Sequence, residues 1–409
     1  MERCVLLLQG PSSAFFAHLG AALRARGARV LRVVTCPGDA LFAGPGARVH
    51  FRGRAADWPG WLAGLMAREG VTDLVLLGDR RPLHAEAVAV AKARGVRISH
   101  VELGVLRPDW LTVEPDGGGP ACPFPEDWED VARLAEGAGA PEVGRVWPGS
   151  FARMAAMDVA WNLSNWALSW ASHPAYRRHA IWHPLAEYGG FLWKFARAGA
   201  DRRHAARVCA GLAPGFFLFP LQLRTDYQIR AHGPDPDLRV TARAVVDSFA
   251  AHAPPGARLL VKEHPMDNAL TPWRRLLTAA AGAAGGRVEV IDGGDLEALV
   301  RAAAGVVTVN STVGLQAAVA GRPVKALGRA IWNRDGITDP QPLAGFWAAP
   351  RPPDPGRADL FLQALVAATQ VRGAFDGPGA AAGAEAVADR VLAPPRLPVQ
   401  RQSSAVSPT

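Results

Sequence analysis

A short apolar run, a helical stretch closed by glycine, then another apolar run: this unit recurs along most of the chain and constrains its fold more than any other feature. Val5 to Gln9 reads as a strand, and Gly10-Pro11 turns it into a helix from about Phe15 to Arg26, closed by Gly27. Val30 to Val34 is a second strand. Trp61 to Glu69 is a helix ended by Gly70, Leu74 to Leu77 a strand ending at Gly78-Asp79-Arg80, His84 to Arg94 a helix closed by Gly95, and Ile98 to Glu102 a strand. Repeated strand–helix–strand units give a parallel sheet covered by helices on both faces. The rhythm breaks after residue 114 and resumes at Phe216 to Pro220. It continues through a helix (Val240 to His252), a strand (Arg258 to Val261), a helix (Pro272 to Ala284), a strand (Val288 to Ile291), a helix (Leu296 to Ala303), a strand (Val306 to Val309), a helix (Val313 to Ala320) and a strand (Val324 to Leu327).

The expected fold class is therefore α/β of GT-B type: two doubly wound, Rossmann-like domains, 1–114 and 206–345, facing a cleft. Between them, 115–205 is a loop followed by a helical, Trp-rich segment containing Trp161, Trp166, Trp170, Trp182 and Trp193. A C-terminal helical segment covers 346–393, and 394–409, rich in Pro, Ser and Gln, is expected to be disordered. A length of 409 residues accommodates two domains, and 49% apolar residues supply their cores.

The net charge of +8, carried by Arg far more than Lys, suits an anionic partner: a nucleotide-linked acidic sugar, an anionic lipid surface or nucleic acid. The plainer alternative is a solvated basic surface. Cys4, Cys36, Cys122 and Cys209 are scattered, with no CxxC, as expected of reduced thiols in a cytosolic protein. No signal peptide is visible, and no apolar stretch approaches the ~20 residues of a membrane span, so any membrane contact is expected to be peripheral. There is no GxxxxGK[ST], GxSxG or HExxH, no spaced carboxylate cluster for a metal, and no helix-turn-helix or RRM signature. The expectation is thus no metal, no cofactor and no nucleic-acid partner.

Chemistry concentrates where apolar runs end in polar residues, since open α/β sheets build ligand sites at strand C-termini. Lys262-Glu263-His264-Pro265 ends one such run and Asn310-Ser311-Thr312 another. Ser311 or Thr312 can cap the helix that follows, which carries Gln316, and its free N–H groups attract a phosphate that His264 can also contact. Asp226, with Gln228 after it, follows the first strand of the second domain and is the carboxylate best placed for attack at an anomeric carbon; otherwise it is a solvated loop residue. In the first domain, Asp79 and Arg80 precede His84 at a strand end, where Asp79 serves catalysis or merely caps a helix. Glu102, Arg107 and Glu114 surround a sharp turn. The carboxylates suit sugar hydroxyls and Arg107 suits a carboxylate or phosphate, unless an Arg–Glu pair simply ties down the loop. The Trp-rich stretch, with Arg177, Arg178, Lys194 and Arg197 nearby, reads either as a membrane-interface or lipid-acceptor surface or as a helical inter-domain core.

This ordered series resembles the bacterial capsule polysaccharide synthesis and export family, the cytoplasmic β-Kdo transferases of Gram-negative capsule assembly. The resemblance runs from Leu6-Leu7-Leu8-Gln9-Gly10-Pro11 to about Gly336, through Gly78-Asp79-Arg80 with His84, Glu102 to Glu114, Asp226 with Gln228, His264-Pro265, Asn310 to Gln316, and Gly321-Arg322-Pro323-Val324-Lys325 with Gly328. It is strongest to members that start the Kdo linker on a lyso-phosphatidylglycerol lipid. The resemblance implies a GT-B fold, CMP-Kdo as donor substrate and transfer with retention. It implies that Lys262, His264, Pro265, Asn310, Ser311, Thr312 and Gln316 hold the nucleotide sugar, as related segments do in sialyltransferases. Asp226 with Glu102 or Asp79 would do the chemistry, and Gln9, Gly10, Arg80, His84, Arg107, Glu114 and Gln228 would meet substrate. It also implies an anionic lipid acceptor, peripheral contact with the cytoplasmic face of the inner membrane, and the capsule export machinery as a partner.

Overall fold

A computed structural model describes residues 2–142 and 144–397. The chain divides into two compact units, one made of residues up to His179 together with those from Gln363 onward, the other spanning Ala180–Leu362. Each is built on its own sheet, and together they are the two Rossmann-like halves that the strand–helix rhythm requires.

The first sheet has seven strands: β1 (Cys4–Leu7), β2 (Arg29–Val34), β3 (Ala47–His50), β4 (Asp73–Leu77), β5 (Arg97–Leu103), β6 (Trp110–Pro115) and, from the far end of the chain, β12 (Gln370–Arg372). Their order is β12-β6-β5-β4-β1-β2-β3. The interior strand β1 is wholly buried because its alternate side chains feed two helical layers. Val5 and Leu7 pack with Phe15, Phe16 and Leu19 and with Val387 and Val391 near the C-terminus. Cys4, Leu6 and Leu8 pack with Trp58, Leu62 and Met66 on the other face. The glycines that close the helices, Gly27 (φ 82°), Gly70 (φ 58°) and Gly95 (φ 65°), adopt the left-handed conformation that ends a helix cheaply only without a Cβ.

The second sheet comprises β7 (Phe217–Pro220), β8 (Leu259–Lys262), β9 (Val288–Ile291), β10 (Gly305–Thr308) and β11 (Val324–Ala326), all parallel, in the order β11-β10-β7-β8-β9. Phe217, Phe219, Val261 and Val307 share a core with Phe249, Trp273 and Trp347.

Three features depart from the sequence reading. Where an all-parallel sheet is expected, β6, beyond the sharp turn that follows Glu102, pairs antiparallel with β5, and β12 pairs antiparallel with β6, so this sheet is mixed. The segment 346–393 is not a separate helical piece: the helix Gly379–Leu392 buries Ala384, Val387 and Val391 against the first unit. The Trp-rich segment 115–205 is also divided, its helix Phe151–Ser172 lying in the first unit and its helix Pro184–Ala210 in the second. An apolar periodicity announces a helix, but it does not say against which sheet the apolar stripe is buried. The tail expected at 394–409 lies outside the described residues from 398 onward.

Candidate functional site

In the second unit the chain runs from β7 to β8 and β9, then returns to the other side of β7 for β10 and β11. Ligands of open α/β sheets bind beyond the strand C-termini at such a reversal. The side-chain amide of Gln222, just after β7, donates to Asn310 Oδ1 (2.8 Å), and the Asn310 backbone N–H donates to Gln222 Oε1 (3.1 Å). Asn310 Nδ2 donates to the Gln228 carbonyl (3.1 Å). Asn310 thus ties the two strand ends together. Ser311 Oγ accepts from the Val313 N–H (3.3 Å) and caps the helix Thr312–Val319, whose first turn begins at Thr312. Gln316 stands one turn further on and is exposed. Asp226 Oδ1 accepts from the Gln228 N–H (2.8 Å) and caps the short helix Tyr227–His232.

His264 follows β8, with Pro265 exposed beside it. Its Nδ1 accepts from the Met266 N–H (3.1 Å), which fixes the ring proton on Nε2 as a donor. Lys194 Nζ reaches both the His264 carbonyl (3.4 Å) and Asp292 Oδ2 (3.0 Å), pinning this loop. Lys262, expected on the nucleotide, is buried; burial depresses its pKa, with Asp292 working the other way. Glu263, between Lys262 and His264, is pushed up to about 7 by burial and by the neighbouring Asp292 and Asp267.

In the first unit the reversal lies between β1 and β4. Gln9 beyond β1 accepts from Arg81 (3.1 Å) and donates to buried Asp39 (2.8 Å). Asp39 also accepts from the Thr35 hydroxyl (2.7 Å) and the Trp161 indole N–H (3.4 Å). A cavity of ≈ 660 Å³ opens here, bounded by Gln9, Arg81 and His84, by apolar Phe51 and Trp58, and by the segment Pro174–His179. His84 Nδ1–H donates to the Leu77 (3.0 Å) and Gly78 (2.8 Å) carbonyls; burial, reinforced by Arg81, lowers its pKa to about 4 and keeps the ring neutral. At Gly10, expected to meet substrate, a Cβ would lie 2.6 Å from the Phe16 ring, so the position requires glycine for packing. Arg107 is exposed on its turn, away from the cavity lining.

Beside this cavity lies a group that sequence reasoning missed. The β5–β6 register sets His100 opposite Glu114, and His100 Nδ1 lies 3.2 Å from Glu114 Oε2. Glu102 Oε2 is 3.7 Å from His100 Nε2. Burial alone would lower the His100 pKa, but contacts with Glu102 and Glu114, with Asp79 beyond, outweigh it and hold the ring protonated, at about 10. Glu114 is buried and also accepts from the Gly119 N–H (3.0 Å), while Asp79, likewise buried, accepts from Gly118 N–H (3.1 Å) and pairs with Arg80 (3.3 Å). Both anchor the 115–119 turn. Glu102, its side chain 41% exposed, is the one carboxylate of the three that a ligand can reach. The spacing of His100 and Glu102 on one strand face was the available signal; the partner strand was not. A Cβ at Gly118 would come 2.5 Å from the His100 ring. Gly118→Ala is expected to destabilise the protein by about 2 kcal/mol through overpacking, read as a lowered denaturation midpoint; an unchanged midpoint would show that the ring yields freely.

Residues 72–376 match the family described as capsule polysaccharide biosynthesis protein. The chain belongs to that capsule-synthesis family. Its relatives include the capsule polysaccharide export protein KpsS of Escherichia coli, 30% identical over 377 residues that cover 90% of this chain and 96% of that protein. The capsule polysaccharide modification protein LipB of Neisseria meningitidis serogroup B is 30% identical over 391 residues, 91% of each chain. Among solved structures, the β-Kdo 2,7 transferase KpsC of Thermosulfurimonas dismutans is 14% identical, covering 89% of this chain and 90% of that one with a TM-score of 0.43. The capsule-synthesis match spans β4 to β12 and so takes in the residues of both strand reversals except those before residue 72, Gln9, Gly10, Thr35, Asp39, Phe51, Arg54 and Trp58 among them.

Proposed function

We propose that this capsule-synthesis protein is a retaining glycosyltransferase that moves Kdo from CMP-Kdo to a lyso-phosphatidylglycerol-type or Kdo-terminated lipid acceptor, working at the cytoplasmic face of the inner membrane beside the export machinery. The observation that carries the proposal is the pairing, at one reversal, of the Ser311-capped helix start with the His264 Nε2–H donor. They follow β8 and β10, the strands on either side of β7, at the sheet reversal beyond which open α/β sheets bind nucleotides. The helix N–H groups and His264 would stabilise the departing phosphate, each such donor typically contributing a few kcal/mol in the transition state.

Retention by double displacement begins with attack of the Asp226 carboxylate on the anomeric carbon. The bond to the CMP phosphate oxygen breaks, and CMP leaves with the electron pair. The acceptor hydroxyl then gives its proton to Glu102 and attacks the same carbon, and the Asp226 carboxylate is released. In the first unit, the cavity between β1 and β4 combines apolar walls with Arg54, Arg81 and Arg178, which suits an acceptor with an acyl chain and an anionic head. A leaving group with a single phosphate makes less demand for a divalent ion than a diphosphate, so no essential metal is proposed.

The test is CMP release from CMP-Kdo by purified protein in EDTA, with and without lyso-phosphatidylglycerol. Acceptor-dependent release with a Kdo-lipid product is expected. Turnover only with CMP-sialic acid or a UDP-sugar would overturn the donor, and CMP-Kdo binding without any turnover would make the protein a noncatalytic glycolipid-binding component.

A further inference from the structure

The helix Phe151–Ser172 has two faces with opposite fates. On one, Trp161 is 8% exposed with its indole N–H on Asp39 (3.4 Å), and Asn165 Oδ1 accepts from the Gly38 N–H (2.8 Å). At ~100° per residue, Leu163, Trp166 and Trp170 fall together on the opposite side, at i, i+3 and i+7. They are 55%, 80% and 78% exposed. Indoles are seldom left this bare in water, and a contiguous apolar strip marks an interaction surface.

Three further observations decide what covers it. No charged residue occurs between Asp158 and Arg177, so no full charge on this stretch resists an apolar medium. The Trp170 indole N–H already donates to the Ala167 carbonyl (2.8 Å), so the ring can leave water without forfeiting a hydrogen bond. Immediately beyond the helix, exposed Arg177 supplies a cation, and the segment Pro174–His179 forms one wall of the ≈ 660 Å³ cavity. No helix among the described residues is long and apolar enough to cross a membrane.

We propose that the Leu163–Trp166–Trp170 face docks on an anionic phospholipid surface, its indoles at the headgroup boundary and Arg177 on the lipid phosphates, holding the 174–179 wall of the cavity at the membrane. Indole rings favour this half-wet layer, and an interfacial helix lies in it rather than spanning it. The benefit to the protein rests on the lipid-acceptor reading above, since an acceptor leaving the bilayer would meet the cavity directly; the docking itself does not.

The experiment is co-sedimentation of the full chain with vesicles of phosphatidylethanolamine and phosphatidylglycerol, and with phosphatidylcholine alone. The wild-type protein is expected to bind the anionic vesicles, and Trp166→Gln/Trp170→Gln to bind them about tenfold more weakly. Arg177→Gln is expected to lose about fivefold on anionic vesicles, the worth of one cation near such a surface, and nothing on phosphatidylcholine. Because both tryptophans are exposed, the double variant should keep the wild-type melting temperature and, with a short-chain water-soluble acceptor, the wild-type rate of CMP release. Equal sedimentation of wild type and double variant would overturn the proposal. So would a wild-type dimer that the double variant converts to monomer, with neither binding vesicles, since a second copy would then be the occupant. Failure of every donor to turn over would sink the transferase reading and leave the vesicle result standing.

Discussion

Asp226→Asn protein is expected to fold and melt like wild type and to release CMP from CMP-Kdo at least about a thousandfold more slowly, as loss of a nucleophile does in enzymes that work through a covalent adduct. The choice of Asn separates two roles the structure gives this residue. Its Oδ1 caps the helix Tyr227–His232 by accepting the Gln228 N–H at 2.8 Å. Asn caps a helix about as well as Asp, so the cap survives, whereas an amide does not attack an anomeric carbon. Asp226→Ala loses both and is expected to cost a further ~1 kcal/mol of stability. Undiminished turnover in Asp226→Asn would remove the nucleophile assignment and leave Asp226 as a cap alone.

Glu263→Gln is expected to change the pH dependence of stability more than any other single substitution at the second reversal. Burial, with Asp292 and Asp267 adding to it, raises the Glu263 carboxyl from 4.5 to about 7 in the folded protein. The folded state therefore holds this proton more tightly than the unfolded chain. The stability that this contributes is fully present below pH 4.5 and is lost as pH rises through about 7. Gln mimics the protonated carboxyl and does not titrate. Between pH 4 and pH 8 the wild-type protein should thus lose about 3 kcal/mol relative to Glu263→Gln. Denaturation midpoints of the two proteins across that range read the difference; parallel profiles would mean that Glu263 ionises as freely in the folded chain as in the unfolded one. Because Glu263 adjoins His264, loosening of this loop at high pH would also weaken the phosphate-binding end of the proposed donor site.

The strands carrying the site residues were legible because buried parallel strands are nearly all apolar and end where polar residues begin. Val288–Ile291 was read to the residue, and the segments around His264 and Ser311 were read to within one or two positions. The cap at Ser311 followed from residue type next to an apolar helical pattern, a local relation. The burial of Lys262 was not legible in the same way: its neighbours announce a strand tip, but which face the last side chain takes is set by the helices on either side.

The sequence by itself determined two doubly wound α/β halves, the strand tips at which polar chemistry collects and a cap at Ser311 or Thr312, because strand periodicity, helix closure by glycine and capping act within a few residues. Only the tertiary structure decided that residues near 370 complete the first sheet, that His100 is drawn against Glu114 by an antiparallel register, that Asp79 and Glu114 serve a turn while Glu102 stays reachable, and that Trp161 faces inward while Trp166 and Trp170 face out. Each depends on pairing between segments far apart in the chain, and burial and charge compensation are settled by those partners and not by neighbours in sequence.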